Sequence, residues 1–300
     1  MTDALEHEVG DAAAALASVR YHLPAETLRG AITTYYLVKV VGAGTVTDQI
    51  FPEWPNFRLI LSGAWQARFR DGAAEPVPAV GVSGALERAV MVTGSAGVMV
   101  GVGLMPQGWL RLTSRRADEF TDRFRPLAEA LGPTAETLHR KLQAATRDEQ
   151  IFAALDETFE AIIVDRPEAA IVAAAHAALQ DPTLQTVGDW AAACGLSARQ
   201  LERFSLRVFG LSPKRLLRRQ RVLRTLAAMR EAPNGTWSQL LDGQFTDQAH
   251  FIHEFKYYMG VSPSAYLSRT QPIMAGAWKS RKALLGSPVQ VLQPPSERRG

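Results

Sequence analysis

The spacing of hydrophobic residues changes along the chain, and each change marks a different kind of structure. From about residue 30 to 113, apolar positions fall in short runs rich in β-branched and aromatic residues, such as Ala31–Val41, Phe57–Leu61 and Val98–Val102. Glycine and proline cluster between these runs, so the region is predicted to form short strands joined by turns, in an antiparallel sheet or a small barrel. The alanine-rich stretch over residues 1–20 predicts a short helix.

The pattern becomes helical between about residues 116 and 164. Apolar residues there recur at three- and four-residue spacing, and one such stripe comprises Phe152, Leu155, Phe159 and Ile162. The stripe can pack on the sheet or on a second copy of the chain, and the sequence leaves both open. Pro167 then interrupts the pattern, because proline disfavours helix in the residue before it. This interruption predicts a domain boundary.

The segment that follows predicts a helix-turn-helix. Thr186–Asp189 and Ser197–Gln200 each have the spacing of a capping box, in which two side chains cap a helix start reciprocally. Gly195 lies between the two predicted helices, where glycine takes a left-handed turn at low cost. A short helix, a glycine turn and a second capped helix make this motif.

A second copy of the same arrangement follows. Phe209–Pro213 (FGLSP) recurs as Met259–Pro263 (MGVSP), and in both copies glycine ends a helix before serine and proline start the next. Upstream of the second copy, Gln239–Leu241, Gly243 and Thr246–Ala249 predict a short helix, a turn and a capped helix. The helix from Pro213 to about Arg230 joins the two units. Its length of roughly 27 Å is of the order of one DNA turn, roughly 34 Å.

These patterns together predict an α+β protein. Residues 1–165 form an N-terminal antiparallel β-rich domain with flanking helices, used for sensing or dimerisation. Residues 166–270 form an all-α domain of two helix-turn-helix units, and residues 271–300 form a basic, disordered tail.

Composition narrows the function classes. Residues 168–300 carry 17 lysine and arginine residues against 9 acidic residues, whereas residues 1–167 carry 16 against 21, so a polyanion is expected to meet only the C-terminal half. Cys194 is the only cysteine, which excludes an internal disulfide and a cysteine zinc cluster. The three N-terminal histidines are scattered, and no catalytic nucleophile motif occurs, so neither a metal, another cofactor nor an enzymatic activity is predicted. The sequence lacks a signal peptide and a long apolar run, which favours a cytoplasmic protein with no membrane partner.

The C-terminal half resembles a known family. Residues Glu168–Ser268 resemble the DNA-binding domain of the AraC/XylS family of transcription regulators, through AAACGLSARQLERF, FGLSPKRLLRRQRV and FTDQAHFIHEFKYYMGVSPSAY. The N-terminal half more loosely resembles a poorly characterised domain found on some members, through LRGAITTYYLV, FPEWPNFRLIL and VGVGLMPQGWLRL. The resemblance implies a transcription regulator that reads double-stranded DNA with two helices. RNA polymerase, a small-molecule effector and a second copy of the chain are further candidate partners.

On the first reading helix, the resemblance maps base-contacting positions onto Arg199, Glu202 and Arg203. Arginine can pair with guanine and glutamate with the amino group of cytosine. The alternative is a surface ion pair within the helix. The family usually has phenylalanine at the position of Ser205, with Phe204 one place early here, so a slight rotation of the helix is open.

On the second reading helix, Gln248 can pair with adenine and Ala249 can contact a thymine methyl group. His250 fits the family pattern, with a structural role as the alternative. His253 stands where the family often has arginine, and Gln244 replaces a usual glycine. A second unit that binds DNA more weakly is therefore expected.

The joining helix is basic at its start, with six cations between Lys214 and Arg224 and no acidic residue among them. Contact with DNA phosphates is one interpretation, and a solvated helix face is the other. The predicted DNA-binding set is Ser197, Arg199, Gln200, Glu202, Arg203, Lys214, Arg215, Arg218, Arg219, Thr246, Gln248, Ala249, His250, His253 and Lys256. A DNA-tethered enzyme with its chemistry in the N-terminal domain is the alternative function, and a nonspecific architectural DNA binder is a third.

Overall fold

An antiparallel sheet of eight strands forms the N-terminal part of the protein. The computed structural model describes residues 16–70, 72–231 and 245–295. The strands are β1 (Ala17–His22), β2 (Ile32–Ile50), β3 (Asn56–Ser62), β4 (Trp65–Phe69), β5 (Ala74–Pro76), β6 (Val80–Ser83), β7 (Val90–Leu104) and β8 (Phe124–Pro126). Their order is β1-β2-β7-β3-β6-β8, and β4 pairs with both β7 and β5. The predicted antiparallel sheet is confirmed.

Two long strands form the centre of this sheet. β2 and β7 pair from Ile32 opposite Leu104 to Ile50 opposite Val90, with a register shift after Val40. Gly94 on β7 leaves room for the Trp65 ring, because a Cβ atom there would lie 2.7 Å from the ring. The glycines in this β-branched strand thus permit close packing of aromatic rings.

Two strands lie where the sequence predicted helix, so the prediction was wrong there. Residues 17–20 belong to β1, which pairs with β2, whereas an alanine-rich helix was expected over residues 1–20; residues 1–15 lie outside the described part of the chain. β8 lies within the region predicted to be helical and pairs with β6. In both cases pairing along a sheet edge overrides local propensity.

The described residues contain eleven α-helices. They are α1 (Pro106–Leu112), α2 (Ala128–Leu131), α3 (Thr134–Ala144), α4 (Asp148–Ile162), α5 (Glu168–Gln180), α6 (Val187–Ala193), α7 (Ala198–Phe209), α8 (Pro213–Glu231), α9 (Gln248–Met259), α10 (Pro263–Leu267) and α11 (Met274–Leu285). Short 3-10 turns lie at Glu26–Leu28, Ala117–Glu119 and Gln290–Leu292. Searched over these described ranges, no helix is long and apolar enough to cross a bilayer.

The apolar stripe on α4 packs on the sheet. Leu155 and Phe159 are fully buried in the same cluster as the strand residues Tyr35 and Phe57. The rings of Phe57 and Phe159 stack with their centres 6.0 Å apart. The sequence had left this face open to the sheet or to a second copy, and the structure decides for the sheet.

The sheet and the C-terminal helices share one hydrophobic cluster. Phe51, Trp54 and Ala85 from the sheet region are buried together with residues of α5 to α11. The break between α4 and α5, at residues 163–167, lies where the sequence predicts a domain boundary. The two halves therefore share a hydrophobic core on both sides of the predicted boundary.

The C-terminal segment differs from its prediction. Residues 271–295 are not a disordered tail, since they include α11 and the 3-10 turn Gln290–Leu292, both packed on other elements. Trp278 and Arg281 of α11 are buried, and Arg281 donates a hydrogen bond to Thr34 on β2. Prolines and cations in the sequence masked the three- and four-residue spacing of these inward residues.

Candidate nucleic-acid interface

The first helix-turn-helix comprises α6, a turn and α7, and its ends are capped as the sequence predicts. Thr186 accepts a hydrogen bond from the Asp189 backbone and Ser197 from the Gln200 backbone, and both reciprocal side-chain bonds are present. Gly195 has a φ of +65°, the left-handed conformation that glycine adopts readily. These local interactions fix where α7 begins. Within the DNA-binding set, Ser197 and Gln200 therefore serve as caps.

One face of α7 is buried and the opposite face is exposed. Leu201 and Val208 are buried, whereas Arg199, Glu202 and Arg203 are exposed. None of these three exposed side chains forms an ion pair with another residue in the described part of the chain. The alternative of a surface ion pair within the helix is therefore not realised, and the face presents free donors and acceptors suited to base edges.

Ser205 explains how α7 tolerates its departure from the family pattern. Its side chain is fully buried, and its hydroxyl donates a hydrogen bond to the Leu211 carbonyl at 2.6 Å. Phe204 is partly buried, and its ring centre lies 6.0 Å from that of Phe209. Ser205 is thus bonded within the core and Phe204 packs at its edge, while Arg199, Glu202 and Arg203 stay exposed.

The second reading helix, α9, also presents a polar face. Gln248, Ala249, His253 and Lys256 are exposed, opposite Phe251 and others in the core. The predicted short helix and turn before it, at Gln239–Leu241, Gly243 and Gln244, lie outside the described residues. Of the two helices of the second unit, the reading helix α9 lies within the described residues.

The start of α9 is capped within the predicted segment Thr246–Ala249. Asp247 is the N-cap, and its carboxylate accepts a hydrogen bond from the His250 backbone at 2.7 Å. His250 is half-buried, and its ring packs against Phe245 at 5.7 Å between centres. This environment supports the structural role for His250. Aspartate is a strong N-cap residue, so the sequence did carry a signal for Asp247.

The joining helix α8 is 19 residues long, about 28 Å. Its predicted inward residues are all buried: Leu216, Leu217, Val222, Leu223 and Leu226. Its basic residues, however, do not form one solvated face. The basic residues differ in their surroundings. Two of them, Arg215 and Arg218, form ion pairs with acidic residues that are distant in sequence.

Arg219 is a correction to the predicted phosphate-contacting set. The side chain is fully buried, and Nη1 donates hydrogen bonds to the carbonyls of Leu86, at 2.9 Å, and Glu53. The guanidinium lies 4.3 Å from the ring centre of Trp54. Burial lowers the pKa of Arg219 to about 10, so the group remains protonated at neutral pH. A fully buried guanidinium cannot reach a phosphate in this conformation.

Arg218 is committed to an ion pair inside the C-terminal domain. Its Nε and Nη2 donate to the two carboxylate oxygens of Glu254 on α9, at 2.8 and 2.6 Å. Burial alone would raise the pKa of Glu254, but the hydrogen bonds from Arg218 hold it below its ordinary value. The pair connects α8 to the second reading helix. Its bidentate geometry positions α9 and leaves Arg218 less available to DNA.

Lys214 and Arg215 lie at the exposed start of α8. Arg215 forms an ion pair with Glu87 at 3.2 Å, and Glu87 is almost completely buried on the N-terminal side. Tyr257 of α9 donates a hydrogen bond to the same carboxylate at 2.8 Å. Lys214 is exposed and has no ion-pair partner within residues 16–70, 72–231 and 245–295. Of the four predicted phosphate contacts on α8, Lys214 is thus the freest.

The described parts of these helices carry no cluster of metal-ligating side chains. Over the described residues, no group of three or more histidine, cysteine, aspartate or glutamate side chains is placed to hold a metal ion. Cys194 ends α6, and burial raises the pKa of its thiol above the ordinary value. A raised thiol pKa disfavours the reactive thiolate, so Cys194 has the character of a structural residue.

A comparison with protein families agrees with the helix-turn-helix geometry. Residues 190–269 match a family described as a helix-turn-helix domain. No curated protein matches the chain.

Among solved structures, ToxT from Vibrio cholerae is similar over 75% of this chain and 97% of its own, at 12% identity and a TM-score of 0.42. A fatty-acid-bound structure of ToxT covers 84% and 94% at 12% identity and a TM-score of 0.40. The AraC-like transcriptional activator CuxR covers 70% and 86% at 15% identity and a TM-score of 0.21.

Proposed function

Because residues 190–269 are a helix-turn-helix domain of the AraC type, we propose that this DNA-binding regulator reads a specific double-stranded site with two helices, α7 and α9. The observation that carries the proposal is the exposure of the two polar helix faces. Arg199, Glu202 and Arg203 face outward on α7, and Gln248 and His253 face outward on α9. Both helices are held by the same connecting helix, α8, with buried leucines on its inner side.

The two faces differ in what they offer to DNA. The α7 face carries two arginines, which can each donate two hydrogen bonds to guanine in the major groove. The α9 face carries glutamine, alanine and histidine, with Lys256 as its cation. Arginine can donate more hydrogen bonds to a base edge than histidine, so the first unit supplies more of the specificity and the second supplies less.

Regulation through the N-terminal half is the second part of the proposal. The sheet contacts the DNA-binding half through Trp54 and Glu87, and this junction can transmit a signal to α8. A small-molecule effector, dimerisation, or both would act through it. RNA polymerase is the partner expected once the protein is bound to a promoter, in the cytoplasm where bacterial-type regulators meet DNA. We propose no catalytic step, since the sequence lacks a nucleophile motif.

The direct test is selection of DNA fragments from the source genome by the purified full-length chain. A recovered consensus site should bind at least about a thousandfold more tightly than random DNA at the same salt concentration. Equal affinity for selected and random DNA would overturn the sequence-specific function and leave an architectural DNA binder. Turnover of a small molecule by the full chain would instead favour the DNA-tethered enzyme.

A further inference from the structure

A cavity lies between the N-terminal sheet and the segment that follows the DNA-binding domain. It encloses about 100 Å³, and its walls come from both parts. Val38, Trp65 and Met99 line it on the sheet side, and Ala277 and Arg281 of α11 line it on the other. Most wall residues are aliphatic or aromatic. A partly open apolar recess with a few polar groups is the usual form of a small-molecule site.

The α11 segment is firmly fixed over this cavity. The Asp48 carboxylate on β2 accepts hydrogen bonds from the Ile273 and Met274 backbone amides, both at 2.8 Å. Trp278 packs edge-on against Phe51, with ring centres 5.6 Å apart. Gln290 donates a hydrogen bond to the Leu104 carbonyl at 3.0 Å. The segment therefore forms a structured wall of the cavity and provides one of its charged groups.

The charges on the cavity wall do not balance. Three charged residues of the described chain line it, namely Glu53, Arg58 and Arg281. Arg58 is paired with Glu53 and also donates to Ser83, so these two charges cancel. Arg281 donates to Thr34 and Gln293 but forms no ion pair within the described residues, and its Nε has no hydrogen-bond partner there. The Glu53 charge also acts on Arg281, but Glu53 is already paired with Arg58. The wall thus carries one uncompensated positive charge.

A buried arginine without an acidic partner is costly, since its charge has lost most of its hydration. Burial lowers the pKa of Arg281 from its ordinary value, which reflects that cost. A ligand carrying one negative charge would compensate Arg281, whereas a dianion such as a phosphate ester would need a second free cation. The apolar walls require that the rest of the ligand be hydrophobic. A cavity of about this size holds a molecule with roughly one six-membered ring.

We propose that the cavity between the sheet and α11 binds a compact hydrophobic monocarboxylate, with its carboxylate paired to Arg281. The proposal names the chemical class of the effector. Its consequence for regulation rests on the proposed function as a DNA-binding regulator. The connection to the DNA-binding half is short, because Arg230 at the end of α8 donates to Gln271, just before α11, at 2.6 Å and to Tyr266 of α10 at 3.1 Å. A bound carboxylate would strengthen the docking of α11 and thereby restrain the second helix-turn-helix unit.

The test is calorimetric titration of the full-length chain, without DNA, using cyclohexanecarboxylate as the probe. Cyclohexanecarboxamide, which has the same ring and no charge, is the matched control ligand. We expect the carboxylate to bind at least about tenfold more tightly than the amide, and Arg281→Gln to remove this preference. Palmitate is the third ligand, because a long chain exceeds the cavity volume. Equal binding of acid and amide, tighter binding of palmitate, or no binding of any of the three would overturn the inference.

Two further variants separate a binding role from a structural one. Ala277→Leu fills the cavity without touching the charge, and we expect it to abolish binding while the chain stays folded. Lys279→Gln removes an exposed charge from the same helix and should bind like the unmodified chain. Retained binding in Ala277→Leu would place the ligand elsewhere and overturn the proposal. Affinity for the selected DNA site is measured in parallel. If the chain binds the carboxylate but shows no preference for any DNA site, the proposed function fails and the ligand site stands.

Discussion

The guanidinium of Arg219 lies 4.3 Å from the ring centre of Trp54, and both side chains are fully buried. Arg219 belongs to the helix that joins the two DNA-reading units, whereas Trp54 lies between two strands of the sheet. The contact therefore connects the DNA-binding half to the N-terminal half. An arginine that the sequence assigns to DNA is used for internal attachment, and this changes which cations remain for phosphates.

Arg219→Ala should lower the stability of the protein, whereas Lys214→Ala should change the salt dependence of DNA binding. Arg219→Ala removes donors from the Leu86 and Glu53 carbonyls and leaves a cavity beside Trp54, so the free energy of unfolding should fall by about 3 kcal/mol. Lys214 is exposed, so Lys214→Ala should change it by less than about 0.5 kcal/mol. In a DNA titration, Lys214→Ala should flatten the slope of log affinity against log salt by about one unit. Urea denaturation and salt-dependent binding measure the two effects.

The reverse pattern would contradict this assignment. If Arg219→Ala flattened the salt slope at unchanged stability, Arg219 would contact phosphate in the DNA-bound state. Arg219 would then have to leave its buried position beside Trp54 when DNA binds.

Arg203→Ala should weaken binding to the selected site by about 1–3 kcal/mol and relax base choice at one position. The reason is that a bidentate contact from arginine to guanine is lost, whereas phosphate contacts stay. Arg207→Ala is the matched control, because Arg207 lies in the last turn of α7 and pairs with Glu168 at 3.4 Å. Competition binding with single-base variants of the site is the measurement. Identical base preferences for Arg203→Ala and the unmodified chain would remove Arg203 from the reading set.

His176 should make stability depend on pH. Burial, together with the nearby charge of Arg219, lowers the pKa of His176 to about 3, compared with 6.5 in the unfolded chain. Between these values the unfolded chain binds a proton that the folded chain does not, so the stabilising effect is complete above pH 6.5 and is lost as pH falls towards 3. Between pH 6.5 and 5, the free energy of unfolding should fall by about 1.6 kcal/mol more for the unmodified chain than for His176→Phe.

Denaturant unfolding of both proteins at the two pH values tests this prediction. The subtraction removes the contributions of carboxylates, which the two proteins share. Parallel pH profiles for the unmodified chain and His176→Phe would mean that His176 is protonated equally in the folded and unfolded states.

The two glycines of the repeated motif should respond unequally to alanine. Gly210 and Gly260 both have left-handed φ values, +78° and +73°, so alanine costs about 1 kcal/mol at either position. At Gly210 a Cβ atom would also lie 2.5 Å from the Thr121 hydroxyl oxygen, which donates to the Gly210 carbonyl at 2.7 Å. At Gly260 the nearest atom is a Gln49 side-chain nitrogen at 3.8 Å. Thermal or urea denaturation should therefore find Gly210→Ala the more destabilising by about 1 kcal/mol or more. Equal losses would mean that Thr121 moves aside freely.

The acidic partners of the basic helix show what sequence spacing misses. No acidic residue occurs between Lys214 and Arg224, yet Arg215 pairs with Glu87 and Arg218 with Glu254. Both acids come from distant segments, so no local count of charges could identify them. Arg219 did leave a signal, since it follows Leu216 by three residues and precedes Leu223 by four, on the buried side of the helix.

The sequence by itself determined the local features of this protein. The capping residues, the left-handed glycines and the period of the apolar positions set the helix boundaries and the buried faces, because these interactions involve residues within a few positions of one another. The exposed reading faces of α7 and α9 follow from the same periodicity. Only the tertiary structure decided that Arg219 is buried beside Trp54 and that α11, with Arg281, forms one wall of a cavity. Those outcomes depend on which segments the chain topology brings together, and a buried cation is tolerated only where distant carbonyls, rings or anions surround it.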